Sequence, residues 1–190
     1  MPNYIRPIAP GGTFFFTVVT EGREPFLCDT TARQILHDAI EACRTTRPFT
    51  LDAMVLLPDH THAIWTLPPG DTDFSARWAA IKAVFTRHWL AQGGREHGRS
   101  TSRLSNRRRG VWQRRFYDHL IRDDADYERH LNYIHWNPVK HGLATCPHAW
   151  PFSTFHRLVQ ANLYERDWLC TCDGCSATPP TFADLDATCE

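Results

Sequence analysis

After Gly11-Gly12 the chain enters a β-branched and aromatic run, Thr13 to Thr20, which predicts a first strand. Asp29-Thr30-Thr31 then supplies capping residues, and Ala32, Ile35, Leu36, Ala39, Ile40 and Cys43 recur at helical spacing. A second strand is predicted over Thr50 to Leu57. It turns at Pro58-Asp59 into a third strand from about Thr61 to Leu67, which Pro68-Pro69-Gly70 stops. Asp71 or Asp73 caps the next helix, whose Phe74, Trp78, Ile81, Phe85 and Trp89 share one side. Gln92 to Gly110 is rich in Gly, Ser and Arg, lacks periodicity and reads as a mobile basic loop. Val111 to Ile121 predicts a fourth strand. Asp123-Asp124 opens a helix expected to run through Trp136 and to end near Asn137-Pro138, because the residue before a proline disfavours the α conformation. Tyr127, Leu131 and Ile134 form its expected buried stripe. Ser153 to Gln160 reads as a short helix, and the chain beyond Trp168 as irregular.

Strand, helix, strand, strand, helix, strand, helix is the order of an α+β fold. It matches a ferredoxin-like antiparallel sheet with helices on one face, plus a C-terminal helical extension. Residues 1–168 make one domain, and 169–190 a Cys-containing acidic tail. Topology alone specifies no chemistry.

Charge adds the first functional hint. The formal net charge is zero, yet Arg77 to Arg122 holds twelve Lys or Arg against two acids, Glu96 and Asp118. From Glu165 onward there are six acids and one Arg. So basic a central block suits a polyanion such as nucleic acid; a solvated basic surface is the plainer alternative. The longest apolar runs are strand-sized, far below the roughly 20 residues that span a bilayer, so no membrane association is expected. No signal peptide is visible, and a cytoplasmic, nucleoid-associated location is the expectation. Seven cysteines without a secretory signal argue against a disulfide framework. Cys170, Cys172 and Cys175 could hold a structural zinc ion; free thiols in a loose tail are the alternative.

Two segments carry candidate chemistry. His60 and His62 stand two apart at the start of a strand, so their imidazoles project to one face and could grip a divalent ion together. Tyr133 and Asn137 stand four apart on a helix, neighbours on one side, where a phenol could reach a sheet-surface site beside an amide oxygen able to ligate metal. Ordinary surface histidines, a core-flanking tyrosine and a helix-ending asparagine would explain each motif singly.

The motifs taken in order are more specific. Gly11-Gly12-Thr13-Phe14-Phe15-Phe16-Thr17, Leu57-Pro58-Asp59-His60-Thr61-His62 and Trp65-Thr66-Leu67-Pro68 are followed by Arg77-Trp78 with Ile81-Lys82. Trp112-Gln113-Arg114-Arg115-Phe116, Tyr133-Ile134, Asn137-Pro138-Val139-Lys140-His141-Gly142 and Trp150-Pro151-Phe152-Ser153 complete the series. Together they resemble the REP-associated tyrosine transposases, relatives of the single-tyrosine HUH transposases, and span almost the whole chain to Trp168. Against shorter members, 92–110 looks like an insertion; the tail has no counterpart.

The resemblance implies an HUH endonuclease-type fold in which His60 and His62 bind Mg²⁺ or Mn²⁺ and Asn137 stands where relatives present a third polar ligand. Tyr133 matches the family nucleophile. The implied activity is cutting and rejoining of single-stranded DNA at hairpins of repetitive extragenic palindromes, through a covalent 5′-phosphotyrosine, by a monomer or homodimer. A tyrosine with a pKa near ~10 must lose its proton to attack, and His130, Lys140, His141 or water could serve. Phosphate contacts are expected from Arg103, Arg107, Arg108, Arg109, Arg114, Arg115 and Lys140. Trp112 and Trp136 are candidates for base stacking, with core packing the plainer reading of either one. A non-catalytic module for structured nucleic acid and a metal-dependent nuclease using water are the competing readings.

Overall fold

A computed structural model of the chain describes residues 8–98, 109–172, 181–182 and 185–186. Strands β1 (Thr13–Val19), β2 (Thr50–Leu56), β3 (His60–Thr66) and β4 (Tyr117–Leu120) pair antiparallel in the order β2-β3-β1-β4. This is the ferredoxin-like arrangement, and the expected α+β class holds. Helices α1 (Thr30–Thr46) and α2 (Phe74–Ala91) cover one face, on which Phe14, Phe16 and Val18 of β1 meet Ala63 and Trp65 of β3. Trp65 lies between Phe49 and Trp78, with ring centroids 4.1 and 4.2 Å away. The six apolar residues expected to face inward on α1 are buried, as are the five on α2.

Asp73, rather than Asp71, caps α2: its Oδ1 accepts from the Ala76 amide at 2.8 Å. Asp71 instead accepts two bonds from Arg77, at 2.6 and 3.1 Å. Arg77 is 2% exposed and donates its remaining bonds to the carbonyls of Arg47, Pro48 and Asp73. The first arginine of the basic block is therefore a buried structural clamp.

Side chains of opposite parity, Phe15 and Thr17 on β1 with His62 and Ile64 on β3, face helix α3 (Asp124–Lys140). The two ferredoxin-like helices thus share one face and the C-terminal extension covers the other. With both faces roofed, β1 reads as an almost unbroken apolar run instead of an alternating one.

Helix α3 runs past its expected end. Pro138 forfeits one helical amide bond, yet the helix continues to Lys140. The Gly142 amide donates to Val139 O at 3.0 Å and the Leu143 amide to Pro138 O at 2.8 Å, with Gly142 at φ +67°. This is a Schellman ending, and the glycine, not the proline, is the stop. The buried face also differs from expectation. Ile134 is buried, but Tyr127 and Leu131 are only partly covered, while Asp126, His130, Tyr133 and Asn137 turn inward.

The fourth strand is shorter than Val111 to Ile121. Val111 to Gln113 instead runs beside Val19 to Glu21 through a Thr20–Trp112 bridge, and Arg114 and Arg115 are exposed before β4 begins. Helix α4 (Phe155–Gln160) starts two residues later than expected, because Ser153 and Thr154 line the free edge of β2. There Thr154 both donates to Met54 O and accepts from the Met54 amide. Such cover blunts an edge that could otherwise pair with another chain. A disulfide not expected from the scattered cysteines joins Cys146 to Cys170, which only the fold brings together. Among the described residues, no helix is long and apolar enough to cross a membrane.

His135 ties α3 to this edge segment, its Nε2 3.1 Å from Thr154 Oγ1, and it is fully buried. Burial pushes its pKa down to about 3, well below the ordinary ~6.5. Between those values the unfolded chain takes up a proton that the folded chain refuses. Stability is therefore lost as pH falls from about 6.5 towards 3, by up to about 1.4 kcal/mol per pH unit. His135→Gln should flatten this slope in urea midpoints measured against pH; an unchanged slope would refute the assignment.

Candidate active site

His60 opens β3 and His62 follows two residues on, so the pleat directs both imidazoles to the α3 face. Their ring centroids are 4.9 Å apart. The His62 ring lies 5.2 Å from that of Tyr133, and the His60 ring 5.4 Å from that of His141. Tyr133, Asn137 and His141 are successive positions four apart, so Asn137 stands on the same face, one turn from each. Because α3 continues through Pro138, Lys140 and His141 belong to this face as well.

The outer shell of the histidine pair is built. The Asp59 carboxylate lies 2.6 Å from His60 Nδ1 and accepts from Arg23 at 2.9 Å. A carboxylate only accepts, so His60 carries its proton on Nδ1 and leaves the Nε2 lone pair available. Thr17 Oγ1 lies 2.9 Å from His62 Nδ1 and can accept its proton, with the same consequence for His62 Nε2. Burial raises the Asp59 pKa, but the hydrogen bonds from His60 and Arg23 and the charge of Arg23 outweigh it and hold the carboxyl at about 2. Burial, reinforced by the positive charges of Lys140 and Arg23, holds His62 well below the usual histidine range, so it is neutral.

His60 Nε2, His62 Nε2 and both amide atoms of Asn137 are buried without a hydrogen-bond partner among the described residues. An unmet buried polar atom costs about 1–3 kcal/mol, and several on one face could be met by a ligand. The indoles of Trp65 and Trp78 are also unmet, but they are donors only and lie in the opposite core. Two imidazole nitrogens and one amide oxygen form a donor set that fits a divalent cation.

Tyr133 is fully buried. Phe15 and His62 pack on one side of its ring, and Phe182 of the C-terminal segment lies edge-on at 5.5 Å. Lys140 Nζ lies 3.5 Å from the phenolic oxygen and donates to Asp186 at 2.6 Å. Of the three side chains considered as proton acceptors, Lys140 touches the hydroxyl. His130 is turned to Asp126 and stacked on His119, and His141 lies against His60.

The expected DNA contacts divide. Lys140 joins the site. Arg109 makes a two-point ion pair with Glu96 at 2.6 and 2.7 Å, near where the Gly110 carbonyl accepts from the His97 amide. A groove of about 600 Å³ outside α2 is lined by Lys82, Arg87, Arg109, Trp112, Arg114 and Phe116, among others. Arg115 is exposed beside it. Trp112 and Trp136 are each 6% exposed, packed respectively in the α2-side and α3-side cores, the core-packing alternative to base stacking. Arg103, Arg107, Arg108 and Cys175 lie outside the described residues. Sequence reading missed Thr17, Arg23 and Phe182, whose roles come from pairing and packing alone. Asp59, next to His60, was the one with a legible neighbour.

No protein-family model matches the chain. A relative from Escherichia coli, the REP-associated tyrosine transposase, is 46% identical over 168 residues, covering 88% of this chain and 91% of that protein. The chain belongs to this family. A second REP-associated tyrosine transposase relative, from Haemophilus influenzae, is 40% identical over 175 residues, covering 88% and 93%. A solved structure of a REP-associated tyrosine transposase bound to a REP hairpin is similar with a TM-score of 0.76 and 43% identity, over 96% of this chain and 100% of that one.

Phe182 lies against the Tyr133 ring and Leu185 joins the same buried cluster. In Phe182→Ala/Leu185→Ala the ring should become reactive towards a phenol-nitrating reagent that spares it in the parent chain, read by peptide mass mapping. Equal protection in both would mean that sheet and helix bury it alone.

Proposed function

We propose that this transposase-family chain binds hairpins of repetitive extragenic palindromes and cuts and rejoins single-stranded DNA beside them through Tyr133. The observation that carries the reading is the convergence of unmet His60, His62 and Asn137 donors with the Tyr133 ring on one buried face. Family membership supplies the substrate class, since a relative at 43% identity is solved on a REP hairpin.

In this reading the Tyr133 oxygen attacks phosphorus in line. The O–P bond to tyrosine forms as the P–O3′ bond breaks, leaving a 5′-phosphotyrosine and a free 3′-OH. Mg²⁺ or Mn²⁺ held by His60, His62 and Asn137 would stabilise the charge that gathers on the phosphate oxygens. The Lys140 ammonium beside the phenol steadies the developing phenolate while its proton passes to water. Asp59 and Thr17 hold the imidazoles in orientation. Entry of DNA requires Phe182 and Leu185 to lift, and a phosphate then replaces Asp186 as the partner of Lys140. Arg114 and Arg115 meet the backbone outside the site. A covalent intermediate conserves the phosphodiester bond energy, so a 3′-OH can reseal the strand without a nucleotide cofactor.

Incubation with a labelled hairpin oligonucleotide and Mn²⁺ should give a protein–DNA adduct on denaturing gels. Tyr133→Phe should abolish it, with hairpin affinity kept. The full burial of Tyr133 favours one rival, a binding module without chemistry, which would show affinity and no cleavage. Cleavage without an adduct would point instead to activated water. Asp59→Asn should weaken Mn²⁺ binding about 10–100-fold by calorimetry, because it loosens the His60 tautomer and orientation. Unaltered affinity would remove His60 from the metal site.

A further inference from the structure

Outside the proposed active site, one cluster of soft ligands is assigned no task. Cys146 and His148 stand two apart after α3, and Cys170 and Cys172 stand two apart at the start of the tail. The Thr171 amide and hydroxyl both donate to Thr145 O, at 2.8 and 2.9 Å, clasping the two segments side by side. The ligand atoms of Cys146, His148 and Cys170 lie within 4.8 Å of one another, and Cys146 and Cys170 are 3% and 1% exposed. Cys172 Sγ is 3.5 Å from Cys146 Sγ, and His148 Nδ1 is 3.6 Å from Cys170 Sγ.

These spacings can be set against a tetrahedral zinc site. With Zn–S near ~2.3 Å and Zn–N near ~2.0–2.1 Å, its edges are about 3.8 Å between sulfurs and about 3.5 Å between sulfur and nitrogen. Two edges of the cluster are already close to those lengths. The Cys146–Cys170 edge is closed as a disulfide. A disulfide explains two of the four residues and leaves unexplained why a third sulfur and an imidazole approach the same pair.

We propose that, once a thiol reductant has opened the disulfide, Cys146, His148, Cys170 and Cys172 bind one zinc ion. The reductant delivers two electrons and two protons to the disulfide and is itself oxidised to its own disulfide. Zinc then displaces the three thiol protons and takes the neutral imidazole as its fourth ligand. The site replaces the Cys170, Cys172 and Cys175 set expected from the tail alone. It fastens the start of the tail to the end of α3, upstream of the residues that lie over Tyr133. The ion is structural, since all four positions are filled by protein.

The test uses the full chain purified with a thiol reductant. Elemental analysis should find about one zinc per chain. Cys172→Ser and His148→Ala, neither of which a disulfide needs, should lose most of it, while Cys175→Ser keeps it. Cobalt titration of the reduced, metal-stripped wild-type chain should give thiolate-to-metal charge-transfer absorption with the intense visible bands of a tetrahedral site, which needs no variant to fold. Recovery of the Cys146–Cys170 disulfide from reductant-treated chain, without zinc and without the cobalt spectrum, would overturn the proposal. So would loss of zinc in Cys175→Ser with retention in Cys146→Ser.

Discussion

Strand β3 is buried on both faces, and the rest of the molecule is arranged around that constraint. One parity, Ala63 and Trp65, enters the aromatic core under α1 and α2; the other, His60, His62 and Ile64, is sealed beneath α3. Placing imidazoles in such an interior is costly unless each ring nitrogen has a use. Asp59 and Thr17 occupy the Nδ1 atoms, and the Nε2 atoms, like the Asn137 amide, are buried and unmet among the described residues. Burial and nearby positive charge keep His62 neutral, the form that can bind a cation.

The helix opposite supplies the complementary half through its length. Had α3 ended at Asn137, Tyr133 would stand near a frayed terminus and Lys140 and His141 would lie in a loop. One more turn, closed by Gly142, holds both residues in register with the tyrosine. A missing amide bond at Pro138 is offset by the hydrogen bonds that close the turn at Gly142 and Leu143. The polar, chemistry-bearing residues of α3 accordingly face the sheet, and apolar Tyr127 and Leu131 are displaced to its flank.

Charge is distributed with similar economy. Arg77 is consumed by the fold and Arg109 by Glu96, so the basic block is less free for a polyanion than its composition suggests. Arg114 and Arg115 remain exposed beside a groove that also holds Lys82 and Arg87. One acid of the tail, Asp186, meets Lys140 next to the tyrosine, so part of the balance behind the zero net charge is an intramolecular contact.

Much of this was legible in the chain. Period-two and period-3.6 patterns located the strands and main helices, and pleat parity put His60 and His62 on one face, because these are local consequences of backbone geometry. Ordered motifs from Gly11 to Ser153 point to the family by themselves. Local rules failed where other contacts outweighed them: Pro138, itself buried, did not stop a helix that Gly142 closes, and the predicted fourth strand was cut short because only Tyr117–Leu120 finds a partner in β1. The face of the sheet that receives α3, the outer shell from Thr17 and Arg23, the tail residues over Tyr133 and the meeting of Cys146 with Cys170 were decided by the tertiary structure. They join residues from 24 positions apart upward, as for Cys146 and Cys170, and no pattern along the chain encodes a distance between its remote parts.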